Sequence, residues 1–204
     1  MKYLTGEKLS FDWKVVTVTI VSTLLLMADY YHTIFTYKYI DRIVLYFFIP
    51  LLITLLIFRE NPKEYGFSFG DWKLGLTYTL IGILVMTPVI YFLGHGNASM
   101  KSYYERFLPG LPWTTFLDLF GWEFFFRGWI LFTYSRKFGP EALWLHAVPF
   151  ALGHLGKPEI ETLSTIFGGF AFGWVAWRTK SFFYAFLIHW FIGTFIIIVA
   201  AGAI

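Results

Sequence analysis

A carboxylate and a guanidinium, Glu123 and Arg127, stand in the middle of an apolar run, Gly121-Trp122-Glu123-Phe124-Phe125-Phe126-Arg127-Gly128. Charges inside a membrane-length stretch are costly, and they persist when they pair, face the bundle interior and serve a function. At i and i+4 on a helix they lie about 40° apart, so they share a face and can meet. Read most plainly, such a pair only fixes helix packing. Histidines downstream add chemistry: His146, His154 and His189 lie in or beside apolar segments. His154 follows Phe150 by four residues, so both fall on one helical face, and His189 sits inside Leu187-Ile188-His189-Trp190. His32 and His95 fall near segment ends and read as interfacial residues. A carboxylate and imidazoles around a water-accessible pocket are the parts needed for hydrolysis. One group activates water, another donates to the oxyanion, and another protonates the leaving amine. The same groups are equally suited to a divalent metal.

Other chemistries find less support. His-Glu-x-x-His, His-x-x-Glu-His and Gly-x-Ser-x-Gly are absent. Ser164 lies near Thr162 and Thr165 without an obvious base, so a serine nucleophile is not expected. The histidines lack the short spacing of common zinc helices, so no cofactor is expected, with a divalent metal (zinc) as the alternative. Cysteine is absent, which excludes thiolate and disulfide chemistry.

The elements that must position these residues are membrane helices. Apolar residues make up 57% of the chain, aromatics 23% and charged residues 14%, more apolar surface than a soluble domain of 204 residues can bury. Hydrophobic segments cover 15–36, 40–58, 74–94, 113–135, 140–155, 160–177 and 181–204, several approaching the ~20 residues needed to cross ~30 Å of hydrocarbon. The fifth is short and contains Pro149, as a half-span or re-entrant helix would. Pro50 and Pro88 predict kinks. Gly168, Gly169 and Gly173 put small residues on nearly one face of the sixth segment. The expected fold is all-α, a polytopic membrane bundle of about seven to eight helices with a polar intramembrane site, forming one integral membrane domain over 1–204. No internal repeat or cleavable signal peptide is apparent. Seven crossings put Lys2, Lys8, Lys14, Arg59, Lys63, Lys73, Arg136, Lys137, Arg178 and Lys180 on one side, against Lys38, Arg42, Lys101, Arg106 and Lys157 on the other. The excess predicts a cytoplasmic N-terminus. The small net charge of +3, concentrated at segment ends, suits a lipid bilayer rather than nucleic acid as partner.

The order Glu123-x-x-x-Arg127 in an apolar helix, then Phe150-x-x-x-His154, then a lone His189 in a final helix, resembles the CAAX protease and bacteriocin-processing family of intramembrane peptidases. Type II CAAX prenyl endopeptidases are its eukaryotic members. The similarity covers about 113–200 and includes the Phe-Gly-Gly-Phe-Ala-Phe-Gly run beginning at Phe167. It implies an intramembrane endopeptidase acting on a membrane-associated or lipidated peptide or protein. Glu123 would activate water or orient the site, Arg127 would hold Glu123, and His154 and His189 would stabilise the oxyanion or position water. Two positions depart from the family pattern. Trp122 stands where the family commonly has the first of two glutamates, and Gly193 where it often has Asn or Asp. A replacement acid is sought in His154-Leu-Gly-Lys157-Pro158-Glu159-Ile-Glu161, where Pro158 can start a helix carrying both glutamates in its first turn. Glu161 is favoured over Glu159; the simpler reading makes both solvated helix-cap acids. Asp118 is set aside because it lies about 140° round the helix from Glu123. The missing acid also admits an inactive relative serving as a binding, immunity or scaffold protein. A small proton-coupled transporter is weakened by the lack of an inverted repeat. Compact size and short loops point to a bacterial cytoplasmic membrane.

Overall fold

The structure is a computed structural model that describes residues 9–204; Lys2 and Lys8 lie outside them. Helix α1 is Trp13–Tyr31, capped by the Asp12 carboxylate, which accepts from the Lys14 and Val15 amides. Helix α2 is Lys38–Phe58. Helix α3 is Trp72–Gly94, capped by Asp71, and α4 is Ala98–Tyr104, capped by Asn97. The segments Trp113–Glu123, Phe124–Ile130 and Leu131–Phe138 run on as one long helix, α5. The short helices Ala142–Leu145 and Ala147–Leu152 form the broken α6. Helices α7, Glu159–Thr179, and α8, Phe183–Ala200, complete an all-α bundle with no strand among the described residues.

Four of these helices, α1, α2, α3 and α8, are long and apolar enough to cross a membrane. The expectation of seven such segments is thus narrowed. Helix α5 carries Asp118, Glu123 and Arg127 within one span length, and 140–155 breaks into short turns around His146 and Pro149. Helix α3 has 11% of its most apolar stretch buried and turns most of its surface outward, whereas α8 has 50% buried and lies inside the bundle. Pro50 falls between two π-helical stretches of α2, Val44–Phe48 and Ile53–Phe58, where the wider turn accommodates a residue that cannot donate. Helix α3 continues through Pro88 without a break.

Polar contacts tie the helices together at both ends. At one end Glu60, just past α2, accepts from Lys14 of α1 at 2.5 Å, from Arg136 of α5 at 2.9 Å and from the Tyr65 hydroxyl. The Asp71 amide donates to the Thr179 carbonyl at the same end. At the other end Asp29 of α1 meets Lys38 and Arg42 of α2 at 2.9 and 3.3 Å, and Arg42 reaches Asp118 of α5 at 2.9 Å. Asp41 accepts from the amides of Ile34 and Phe35 and so orders the α1–α2 turn.

Close helix approach depends on a few glycines. A Cβ at Gly121 of α5 would lie 3.0 Å from the Arg42 carbonyl of α2. A Cβ at Gly173 of α7 would lie 2.2 Å from the buried His146 ring, and one at Gly169 2.9 Å from Ala147. Gly168, expected on the same packing face, has open space around it, because it is turned away from α6. Gly173→Ala should therefore overpack the α6–α7 seam, at a cost of about 1–3 kcal/mol. Gly168→Ala should be tolerated, gaining roughly 0.5–1 kcal/mol of helix propensity. Thermal unfolding of the two variants in detergent checks the contrast; equal effects would contradict the seam.

Burial alone would raise the Glu60 carboxyl, but hydrogen bonds from Lys14, Tyr65 and Arg136 hold it down at about 2. A depressed carboxylate stabilises the fold above its unfolded value and loses that contribution as pH falls toward its folded one. The stability advantage of wild type over Glu60→Gln should accordingly be full at pH 7 and shrink as pH falls from about 4.5 toward 2. Paired melts across that range test this, and a gap independent of pH would contradict it.

Candidate active site

The site forms where α5, α6, α7 and α8 converge. Glu123 is fully buried, and a carboxylate there demands partners. Its Oε1 accepts from Arg127 Nη1, one turn along α5, at 3.0 Å and from His189 Nδ1 of α8 at 2.6 Å. The Arg127 guanidinium, also fully buried, lies 3.7 Å over the centre of the Phe150 ring and 5.1 Å from that of Phe172. Aromatic faces thus take up the part of the cation that the carboxylate does not.

The two site histidines are oriented by acceptors. His154 Nδ1 donates to the Phe150 carbonyl at 2.8 Å, and His189 Nδ1 donates to the Glu123 carboxylate. A carbonyl or carboxylate can only accept, so Nδ1 carries the proton in both rings and Nε2 is the nitrogen left for other work. The rings are nearly parallel with centroids 6.3 Å apart, and Phe172 stacks on the far side of His189. His146 is held differently. Its Nδ1 donates to the Ala142 carbonyl at 2.9 Å, and its ring fills the space over Gly173. It is a packing residue of the α6–α7 seam.

His154 and His189 line a small polar cavity of about 50 Å³, together with Arg42, Asp118, Leu119, Trp122, Gly153 and Lys157. A water molecule needs at least roughly 10–15 Å³, so the cavity is water-sized. The Trp122 indole forms one wall, edge-on to His154 at 5.7 Å and to Tyr46 at 5.3 Å, with Arg42 over its face. At the position of the other departure, Gly193, a Cβ would lie 2.9 Å from Leu119; the neighbouring Thr194 hydroxyl bonds that of Thr115 at 2.9 Å.

Of the residues singled out in the sequence, Glu123, Arg127, His154 and His189 come together and Glu161 does not. Helix α7 does begin at Glu159, with Pro158 before it. The phase of its first turn, however, presents Glu161 to the Tyr104 hydroxyl of α4 and to Lys157, at 2.7 Å, instead of to His154 or Glu123. Glu159 is exposed. Of the charged cavity residues, Arg42 was not singled out in the sequence, Asp118 was set aside, and Lys157 was named only as part of the stretch leading to Glu161. Asp118 lies four residues before Trp122, so the signal was the face it shares with Trp122, not its angle from Glu123. Among the described residues no three or more of His, Asp and Glu gather as a metal site would require.

A second cavity, of about 440 Å³ and apolar, opens between α3 and α8 beside the Pro112 turn. Leu187, Trp190, Phe191 and Thr194 form its α8 wall. It flanks the stretch of α8 whose opposite face carries His189.

Residues 105–195 match the Rce1-like family, described as type II CAAX prenyl endopeptidase Rce1-like. No curated protein and no solved structure matches the chain.

Arg127→Ala would leave the Glu123 carboxylate buried without its cation, a change that costs about 3–5 kcal/mol. Glu123→Gln keeps the shape and a hydrogen-bond acceptor but leaves the Arg127 cation buried without its counter-charge, so it too should be destabilised. Thermal unfolding in detergent measures both losses; comparable stability of Arg127→Ala and wild type would contradict the burial of the pair.

Proposed function

We propose, from a chain whose residues 105–195 belong to the CAAX protease family, that this protein is an intramembrane endopeptidase. It hydrolyses a peptide bond in a membrane-associated or lipidated substrate. The observation that carries the reading is the buried Glu123 carboxylate shared by Arg127 and His189 beside a water-sized polar cavity. Arg127 fixes Glu123, and Glu123 fixes the His189 ring with its Nδ1 protonated. His154, fixed by the Phe150 carbonyl, presents Nε2 from the opposite wall. The two Nε2 atoms can position water and, in protonated form, donate to the oxygen that becomes negative at the tetrahedral stage. The enclosed aromatic surroundings strengthen those interactions by excluding bulk water.

The apolar cavity between α3 and α8 has the lining to hold a hydrocarbon chain, although it lies across α8 from His189. With the N-terminus cytoplasmic in a bacterial cytoplasmic membrane, the mouth bearing Arg42 and Lys157 lies toward the outer face. The site would then be served from that side.

Purified protein in liposomes, offered a farnesylated peptide ending in a CAAX tail and a signal-peptide-like membrane peptide, tests the reading by mass spectrometry of products. Wild type is expected to cleave at least one of them. Glu123→Gln and His189→Ala should each lower kcat by about 100-fold or more. Inert wild type on both peptides, or cleavage undiminished in Glu123→Gln, overturns the reading.

A further inference from the structure

Trp122 stands where the resembled family commonly has the first of two glutamates, and an indole is a donor with no basic lone pair, so it cannot activate water. Glu123 cannot stand in for it directly. It is fully buried and does not line the cavity; its Oε1 is committed to Arg127 and His189, and its Oε2, though without a partner, is sealed from the surface. Glu161 is taken up by Tyr104 and Lys157. One carboxylate does line the cavity with both histidines, and that is Asp118. It lies one turn before Trp122 on the same face of α5, displaced about 6 Å along the helix axis.

We infer that Asp118 is the water-activating carboxylate of this chain, moved one helical turn from the position that Trp122 fills. The inference rests on the peptidase reading above. The Asp118 side chain is 25% exposed, so it is anchored without being sealed in. Arg42 Nη1 straddles its two oxygens at 3.1 and 2.9 Å, which fixes the carboxylate plane and leaves lone pairs on each oxygen free. The same guanidinium is shared with Asp29 through Nε at 3.3 Å, and it lies over the Trp122 ring at 5.3 Å. Trp122 is therefore the platform on which Arg42 rests while it aims Asp118 at the cavity. A water held among Asp118, His154 and His189 gives one proton to Asp118 as its oxygen forms a bond to the scissile carbonyl carbon. The carbonyl π electrons move to oxygen. They return as the C–N bond breaks, and the proton held by Asp118 passes to the departing amine nitrogen. The remaining proton passes from the new carboxylic acid to the amine, so the products are a carboxylate and a protonated amine, with no oxidant or other co-reactant.

The test measures kcat, KM and melting temperature for wild type, Asp118→Asn, Arg42→Gln and the double variant Trp122→Glu/Asp118→Asn in liposomes, on the farnesylated CAAX-tailed peptide and the signal-peptide-like peptide. The expected result is a fall in kcat of about 100-fold or more in Asp118→Asn with KM and melting temperature little changed. Arg42→Gln, which keeps the acid, should be hurt less. The double variant should recover activity, because it restores a carboxylate one turn on. If Asp118→Asn keeps most of its kcat while Glu123→Gln is inactive, the inference falls and the peptidase reading stands. If Arg42→Gln loses as much as Asp118→Asn, or the double variant recovers nothing, Asp118 is a structural partner of Arg42 and the inference also falls. Inert wild type overturns both.

Discussion

One buried negative charge organises this molecule. Glu123 has no exposure, and a carboxylate so placed needs compensation from several directions at once. Its own helix supplies Arg127 and α8 supplies His189. Arg127 brings its own desolvation cost, which α6 and α7 meet with the faces of Phe150 and Phe172. Four helices are thereby committed to one point. The abundance of aromatics is thus more than membrane compatibility: rings are the apolar surfaces that can also receive a cation. The plain reading of the ion pair as packing only and the reading of it as part of a site are not exclusive here, since the contact that fixes α8 against α5 is the one that orients His189.

The remaining polar groups follow a radial order around that charge. The Lys14–Glu60–Arg136 cluster at one end of the bundle and the Asp29–Lys38–Arg42 cluster at the other, half-buried apart from the buried Asp29, knit helix ends together. Between them, the cavity side chains Asp118, Trp122, His154 and Lys157 grade from the second cluster down to the buried carboxylate. Arg42 belongs to both sets. It balances Asp29 at the end of α1 and Asp118 at the cavity, which links the packing of α1 and α2 to the geometry of the site.

What the sequence made legible was whatever a single helix decides. The i and i+4 spacing placed Arg127 against Glu123, the Phe150–His154 spacing placed the ring beside the histidine, and Pro158 marked the start of α7. Contacts between helices were less legible. His189 meeting Glu123 followed only from the cost of leaving either alone in an apolar helix. Glu161 was misassigned because a first-turn acid has several directions open to it, and Tyr104, from a helix 57 residues earlier, takes it. Asp118 was set aside on its angle to Glu123, although the relevant angle was to the cavity. That wall is built by Trp122, by residues of α2 and α8 and by the turn that follows α6, which no periodicity in α5 reveals. Gly168 illustrates the same limit: adjacent glycines look alike in sequence, and only the position of α6 separates them.

The local irregularity of α5 has a physical origin in the same constraint. From Phe124 to Ile130 the helix is π-wound, and every residue of that stretch is buried. Most helices bury one stripe and show another; this one is ringed by α1, α2, α6, α7 and α8. Packing bulky side chains on all sides of a tight helix crowds them, and the wider π turn spreads Phe124, Phe125, Phe126, Arg127 and Trp129 around the axis. Such stretches are less stable than α-helix and recur at functional sites. Here the widening starts directly after Glu123, at the level where the helix carries its buried charges. The segment that pays in backbone regularity is thus the one that holds Arg127 in register with Glu123 while its neighbours seal the pair from lipid. Upstream, the ordinary α-helical turn from Asp118 to Trp122 keeps those two side chains on one face, toward the cavity. The change of winding therefore separates two environments along a single helix, the fully buried Glu123–Arg127 pair on one side and the wall of the polar cavity on the other.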